Sequence, residues 1–415
     1  MQKIVVIKNN VTAIALYSIK WILITGVLSL LIGSVTAFFL TGLTWVSKQQ
    51  SAYSWLFYLL PFGGALTSFF YKKMGKKAIQ GNNLVIEQAN GADEHIPLRL
   101  VPLTLFGTLM THLLGGSAGR EGTAVQMGGS IAEHVGQLLH LNKASRKIVI
   151  ICGISGGFSA VFGTPLAGTV FGLEVLALGL IRHEALLPSF FSAYFSNLVV
   201  KGYGVSHIKY TMALAPAESS SLFFKLLVAG ALFGLTGLIF SRSIVVIKKW
   251  YTKWMPEPVN RTFIGGTVVV LLALIINNRS YLGLSLPLLD QAFSGEAHPF
   301  DFLGKLVFTV FTLGAGYQGG EVTPLFVIGA TLGSSLASLL YLPVGFLAGL
   351  GFIGVFTGAT NTPIACFIMG IELFGSENAI YLFLICVISY ICSGNSGIYS
   401  AQKVGIKKGV LFEAD

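Results

Sequence analysis

Apolar runs recur from Trp21 to Ser393, and glycine or proline interrupts many of them. Charged residues make up only 11% of the chain, against about 25% in a soluble domain. A water-soluble enzyme of this length is excluded, and nearly the whole chain is expected to lie in a membrane. Candidate spans are Trp21 to Trp45, Trp55 to Phe70, Val101 to Leu114, Ile148 to Phe162, Leu166 to Leu180, Leu222 to Val246 and Phe263 to Ile276, followed by a dense series from Leu303 to Ser393. A straight span needs about 20 apolar residues, and several of these runs are shorter. With 50 glycines, broken, tilted and half-spanning helices are expected. Broken backbone survives in lipid only where it is buried or lines a wet cavity, so an internal pathway is implied.

The net charge of +10 does not point to nucleic acid. The basic residues fall in short clusters between apolar runs: Lys72, Lys73, Lys76 and Lys77; Lys143, Arg146 and Lys147; Arg242, Lys248, Lys249 and Lys253; Lys403, Lys407 and Lys408. This is the positive-inside pattern of cytoplasmic loops, and it puts both chain ends in the cytoplasm. The first long run follows a weakly basic tail without a small-residue cleavage site, so no cleavable signal peptide is expected. Cys152, Cys366, Cys386 and Cys392 form no CxxC pair and read as free core thiols.

An internal repeat organises the rest. GREGT around Glu121 and GGEVT around Glu321 are 200 residues apart, each with threonine two positions on, at Thr123 and Thr323. Thr164-Pro165-Leu166-Ala167 leads to Glu174, and Thr362-Pro363-Ile364-Ala365 leads to Glu372, both at an offset of 198. The expected organisation is a cytoplasmic tail over 1–20, a first membrane repeat over 21–210, a second over 219–402 and a short cytoplasmic tail over 403–415. Transporters built from two repeats often invert one against the other and place their site at the midplane. The sequence shows the repeat and not the inversion.

The stretch from Gly115 to Thr123 brings glycines to the start of a helical run. Converging N–H groups and the positive end of a helix make an anion site. Glu121 can occupy that site itself and leave it on protonation. The alternative is a structural Arg120–Glu121 pair, but neighbours on a helix do not face one another. Glu321 opens the matching loop, and it reads equally as an intramembrane functional carboxylate or as a cap on a helix start. Glu174 and Glu372 occupy matching places and read as acceptors for broken backbone. Asn82 offers an amide donor after Gly81, and Tyr399 a hydroxyl. The sequence contains no HExxH, P-loop, dinucleotide fingerprint or hydrolase elbow, so neither metal nor cofactor is expected.

In this order, Gly81-Asn82, GREGT, Gly163-Thr164-Pro165-Leu166-Ala167-Gly168, GGEVTP and Tyr399 resemble the CLC family of chloride channels and proton-coupled anion antiporters. The resemblance runs from about Trp21 to about Gln402. It implies an all-α integral membrane fold of two inverted-topology repeats, a homodimer with a pore in each subunit, and a multi-pass position in the inner (plasma) membrane. Asn82, Thr123 and Val322 stand where the family commonly has serine, proline and phenylalanine. Glu321 replaces an apolar residue, and Val175 stands where chloride/proton antiporters carry an inner proton-transfer glutamate. These departures are similar to the bacterial fluoride-exporting branch. The resemblance implies a fluoride/proton antiporter with Glu121 as gate and Glu321 as inner proton station. It implies an anion pathway along Asn82, Gly119, Arg120, Gly122, Thr123, Gly320, Val322, Thr323 and Tyr399. A chloride transporter or channel is the alternative, and an intramembrane enzyme using Glu121 and Glu321 is a remote one that lacks a nucleophile or metal cluster.

Overall fold

The computed structural model describes residues 2–92, 95–207 and 210–409. It holds sixteen α-helices among the described residues. The first half contains α1 (Gln2–Ala52), α2 (Leu60–Phe70), α3 (Asn82–Ala89), α4 (Leu100–Leu113), α5 (Glu121–Leu138), α6 (Lys143–Phe162), α7 (Pro165–Glu174) and α8 (Leu186–Gly202). The second contains α9 (Ser220–Trp254), α10 (Pro258–Ile276), α11 (Leu286–Ser294), α12 (Asp301–Gly314), α13 (Val322–Leu340), α14 (Val344–Thr360), α15 (Pro363–Phe374) and α16 (Ala379–Cys392). Taken in order, the two sets correspond. Each opens on a long helix, has a short third helix of 8 or 9 residues, and starts its fifth at the glycine–glutamate loop.

The halves run in opposite senses. Ser29 on α1 donates to the Ser192 carbonyl of α8, and Ser34 meets the Tyr203 hydroxyl just past the end of α8. These two helices therefore run side by side in one direction. Ser389 on α16 donates to Gly230 of α9, and a Cβ on Gly234 would strike Ser389 and Cys392. That pair also runs together, but from the face where α8 ended. Two short strands, β1 (Ala177–Leu178) and β2 (Lys403–Val404), pair in parallel and fix the start of α8 and the C-terminal segment on one face. They are a minor addition to the expected all-helical fold. The inversion that the sequence left open is thus a property of the structure.

The same face carries the basic clusters. Lys72 binds Glu257 beyond the end of α9, Lys147 packs on Gly91, and Lys408 reaches Ser393 at the end of α16. The positive-inside bias makes this the cytoplasmic face. α1 continues as helix through the segment expected as a tail.

Among the described residues five helices are long and apolar enough to cross a membrane, α1, α6, α9, α10 and α13. Several others are shorter, as the broken runs require. Phe38, Trp45, Phe224 and Ile275 are each more than half exposed on the outer surface, a face suited to lipid. The interior is rich in small and polar residues. Ser192 donates to Cys152 and Ser159 to Ala193, and Gly33 makes room for Val199. Close approach through small residues holds membrane helices together where no hydrophobic driving force exists between them.

The TPLA and TPIA stretches start α7 and α15 and trade carboxylates. Glu174 accepts the Ile364 and Ala365 N–H groups at 3.2 and 2.8 Å. Glu372 accepts those of Leu166 and Ala167 at 2.9 and 2.8 Å. Each half thereby satisfies the bare helix start of the other. The four cysteines are unpaired, three of them buried.

Candidate functional site

The two glycine–glutamate loops meet in the middle of the molecule. Gly119 and Gly320 form an antiparallel bridge, with N–H to carbonyl distances of 2.7 and 2.8 Å. Both must be glycine: a Cβ on Gly320 would lie 2.1 Å from Glu121 Oε1, and one on Gly119 would lie 2.5 Å from the same oxygen. The space so freed holds the Glu121 carboxylate.

Glu121 is the first residue of α5, yet its carboxylate sits at the start of α13. Oε1 accepts the Val322 N–H at 2.5 Å, and Oε2 accepts the Thr323 hydroxyl at 2.8 Å and the Arg120 N–H at 2.9 Å. The side chain is 1% exposed. Two helix N-termini, each with a partial positive charge, therefore converge on one carboxylate. Arg120 serves it through the backbone, and its guanidinium makes no ion pair with Glu121.

Asn82 begins α3, and its Nδ2 lies against Gly122, where a Cβ would come within 2.8 Å. Its Oδ1 is buried without a partner among the described residues. Asn83 beside it accepts the Ala401 N–H at 3.2 Å, which ties α3 to the segment bearing Tyr399. Tyr399 packs edge-on to Phe171 and borders a cavity of about 390 Å³ on the cytoplasmic side, with Arg242, Asn395 and Gln402. Glu321 stands at the N-cap position of α13, but its carboxyl accepts no hydrogen bond from that helix start, so the reading of Glu321 as a side-chain cap does not hold. Glu121, Gly119, Gly122, Gly320, Val322, Thr323 and Asn82 are thus gathered at one point. Thr123 is placed apart: its hydroxyl pairs with that of Thr108 at 2.6 Å, wholly buried.

Gln126 was not singled out from the sequence. It is 5% exposed, lies against Gly81, and leaves Oε1 without a partner among the described residues. The available signal was its place one turn after Gly122 on the same face of α5.

Chemically, the arrangement is an anion site filled by the protein's own carboxylate. Two backbone N–H groups and a hydroxyl donate to it, and protonation would remove the charge they hold. Among the described residues no cluster of three or more histidine, cysteine, aspartate or glutamate side chains suits a metal ion.

The chain is 42% identical to a chloride/fluoride channel protein of Pseudomonas syringae pv. tomato over 94% of this chain and 88% of that one. It is 26% identical to an H(+)/Cl(-) exchange transporter of Vibrio campbellii, covering 81% and 75% of the two chains. A solved CLC-type fluoride/proton antiporter superposes with a TM-score of 0.90 at 36% identity, covering 93% of this chain and 98% of that one. Residues 63–394 match the model of the voltage gated chloride channel family, and with the inverted halves and the shared midplane site this chain belongs to that family, the CLC proteins.

Proposed function

We propose that the protein is a fluoride/proton antiporter of the inner membrane that exports fluoride from the cytoplasm as protons run inward. The observation that carries this reading is the Glu121 carboxylate seated at the start of α13, on Val322 N–H and the Thr323 hydroxyl. A carboxylate and a small anion compete for the same donors. Protonation of Glu121 frees the place for fluoride, and departure of fluoride lets the ionised carboxylate return. Each cycle then carries a proton against an anion. Fluoride is small and strongly hydrated, and the short donors here suit it. The Asn82 amide, against Gly122, adds another. Glu321, with an unbonded carboxyl, serves as the cytoplasmic proton station in place of Val175. Tyr399 borders the route to the cytoplasmic cavity. By the same resemblance the protein works as a homodimer in the lipid bilayer, each copy with its own pathway, and it acts as a transporter rather than an enzyme.

The test uses purified protein in liposomes loaded with potassium fluoride or potassium chloride. Ion-selective electrodes follow release, and an internal dye follows pH. Fast fluoride release with proton uptake is expected, with chloride slower. Glu121→Gln should lose proton uptake. Chloride release as fast as fluoride release would replace the fluoride reading with a chloride transporter, and anion release without proton movement in the unaltered protein would make it a channel.

A further inference from the structure

Between α8 and α9, residues 203–207 and 210–219 lie on the face opposite the C-terminal segment. Asn378 accepts the Ala215 N–H at 3.1 Å and donates to the Ala213 carbonyl at 3.0 Å. The His207 ring packs on Gly163, where a Cβ would lie 2.4 Å from its Cδ2. The Tyr210 ring stacks on Phe293 with centroids 5.3 Å apart. With Arg120, Thr323, Phe162 and Phe326, these two side chains border a cavity of about 40 Å³.

Three polar atoms at this cavity are buried and have no hydrogen-bond partner among the described residues: Arg120 Nε, His207 Nε2 and Tyr210 Oη. A guanidinium Nε–H can only donate, and a buried donor left without an acceptor is costly. The phenol can donate too. Burial, with the Arg120 and Lys201 charges, pushes the His207 imidazole down to about 4, so near neutral pH it is uncharged, with Nε2 free to carry its single proton. Much of the remaining wall is aromatic or aliphatic and supplies no acceptor. About 10–15 Å³ of such space holds one water, so this cavity has room for one small ion with one or two waters beside it. The wall includes Thr323, whose hydroxyl holds Glu121.

We propose that this cavity is an outer anion berth, in which Arg120, His207 and Tyr210 hold one small monovalent inorganic anion just outside the Glu121 carboxylate. It is a place distinct from the one Glu121 fills. An anion leaving the midplane pauses there while Glu121 closes behind it. The berth deepens the transport reading and rests on it for the class of ligand.

Sodium fluoride is titrated calorimetrically into the purified full chain, and fluoride exchange in liposomes is measured against outer fluoride concentration. Both are repeated with Tyr210→Phe, His207→Leu and the double variant. Loss of one donor to an anion should weaken binding about tenfold. The half-saturating outer concentration should rise by the same factor, with maximal exchange within about twofold. Tyr210→Phe keeps the ring stack, so it separates a lost donor from lost folding. Unchanged binding and half-saturation in the double variant overturn the berth. Absence of binding heat in the unaltered protein overturns it as well, whether or not ions move. Binding that weakens in the variants, in a protein that exchanges no fluoride, supports the berth and sinks the transport reading.

Discussion

Thr123 and Thr323 follow their glutamates by the same two positions, but their hydroxyls face different partners. Thr323 donates to Glu121, whereas Thr123 pairs with Thr108 on α4. The difference follows from which carboxylate turns inward: Glu121 reaches across to α13, and among the described residues no carboxylate makes the return crossing to the start of α5. A hydrogen bond to a charged acceptor contributes about 1.5–3 kcal/mol, a neutral one about 1. Thr323→Val should therefore slow fluoride exchange in liposomes about tenfold or more. Thr123→Val should leave exchange within about twofold and show instead as a thermal midpoint lower by a few degrees. Equal effects of the two on exchange would count against an unequal role. Sequence spacing alone made these residues equivalents, because it carries no information on side-chain direction across a two-fold relation.

At the scale of elements, the apolar runs revealed the long helices and the repeat revealed the pairing of halves. Three kinds of element were less legible. α5 is buried along nearly its whole length yet reads EGTAVQMGGSIAEHVGQL, too polar for an apolar-run criterion. Its neighbours supply the partners that lipid cannot. α8 was hidden by Ser189, Ser192, Ser196 and Asn197, which form its buried face. α3 and α11, with 8 and 9 residues, are too short for any periodic signal. Lys305 was also passed over. It is fully buried, and its ammonium donates to Ser117, Ser285 and the carbonyls of Tyr281 and Gly283, tying the loop before Glu121 and the α10–α11 connection to α12. The structural role read for Glu174 and Glu372 corresponds to the observed caps. Removing a cap leaves two helix-start N–H groups bare, at about 1–3 kcal/mol each. Glu174→Ala should lower the thermal midpoint by several degrees. Glu372→Ala should lower it less, since that carboxylate is only partly buried whereas Glu174 is buried. A larger loss from Glu372→Ala would mean that exposure does not set the cost.

For the whole molecule, basic clusters on one face fix orientation, and apolar side chains elsewhere on the surface suit lipid or a second copy. An apolar cleft bordered by Leu166, Val170, Leu187, Phe190, Ile368 and Ile371 joins α7 and α8 of one half to α15 of the other. If the protein is a homodimer through this region, light scattering with detergent subtracted should give twice the chain mass, and Leu187→Trp should shift it toward one chain. A single-chain mass in the unaltered protein would remove the dimer from the reading. The exchange of Glu174 and Glu372 has a consequence at this scale too. Neither half owns the group that closes its own broken helix, so neither is a finished object in a bilayer. A lesion in one half is felt as a gap in the other, and a chain severed between α8 and α9 regains its shape only where both pieces share a membrane. The gene is written as two units, but the fold closes as one.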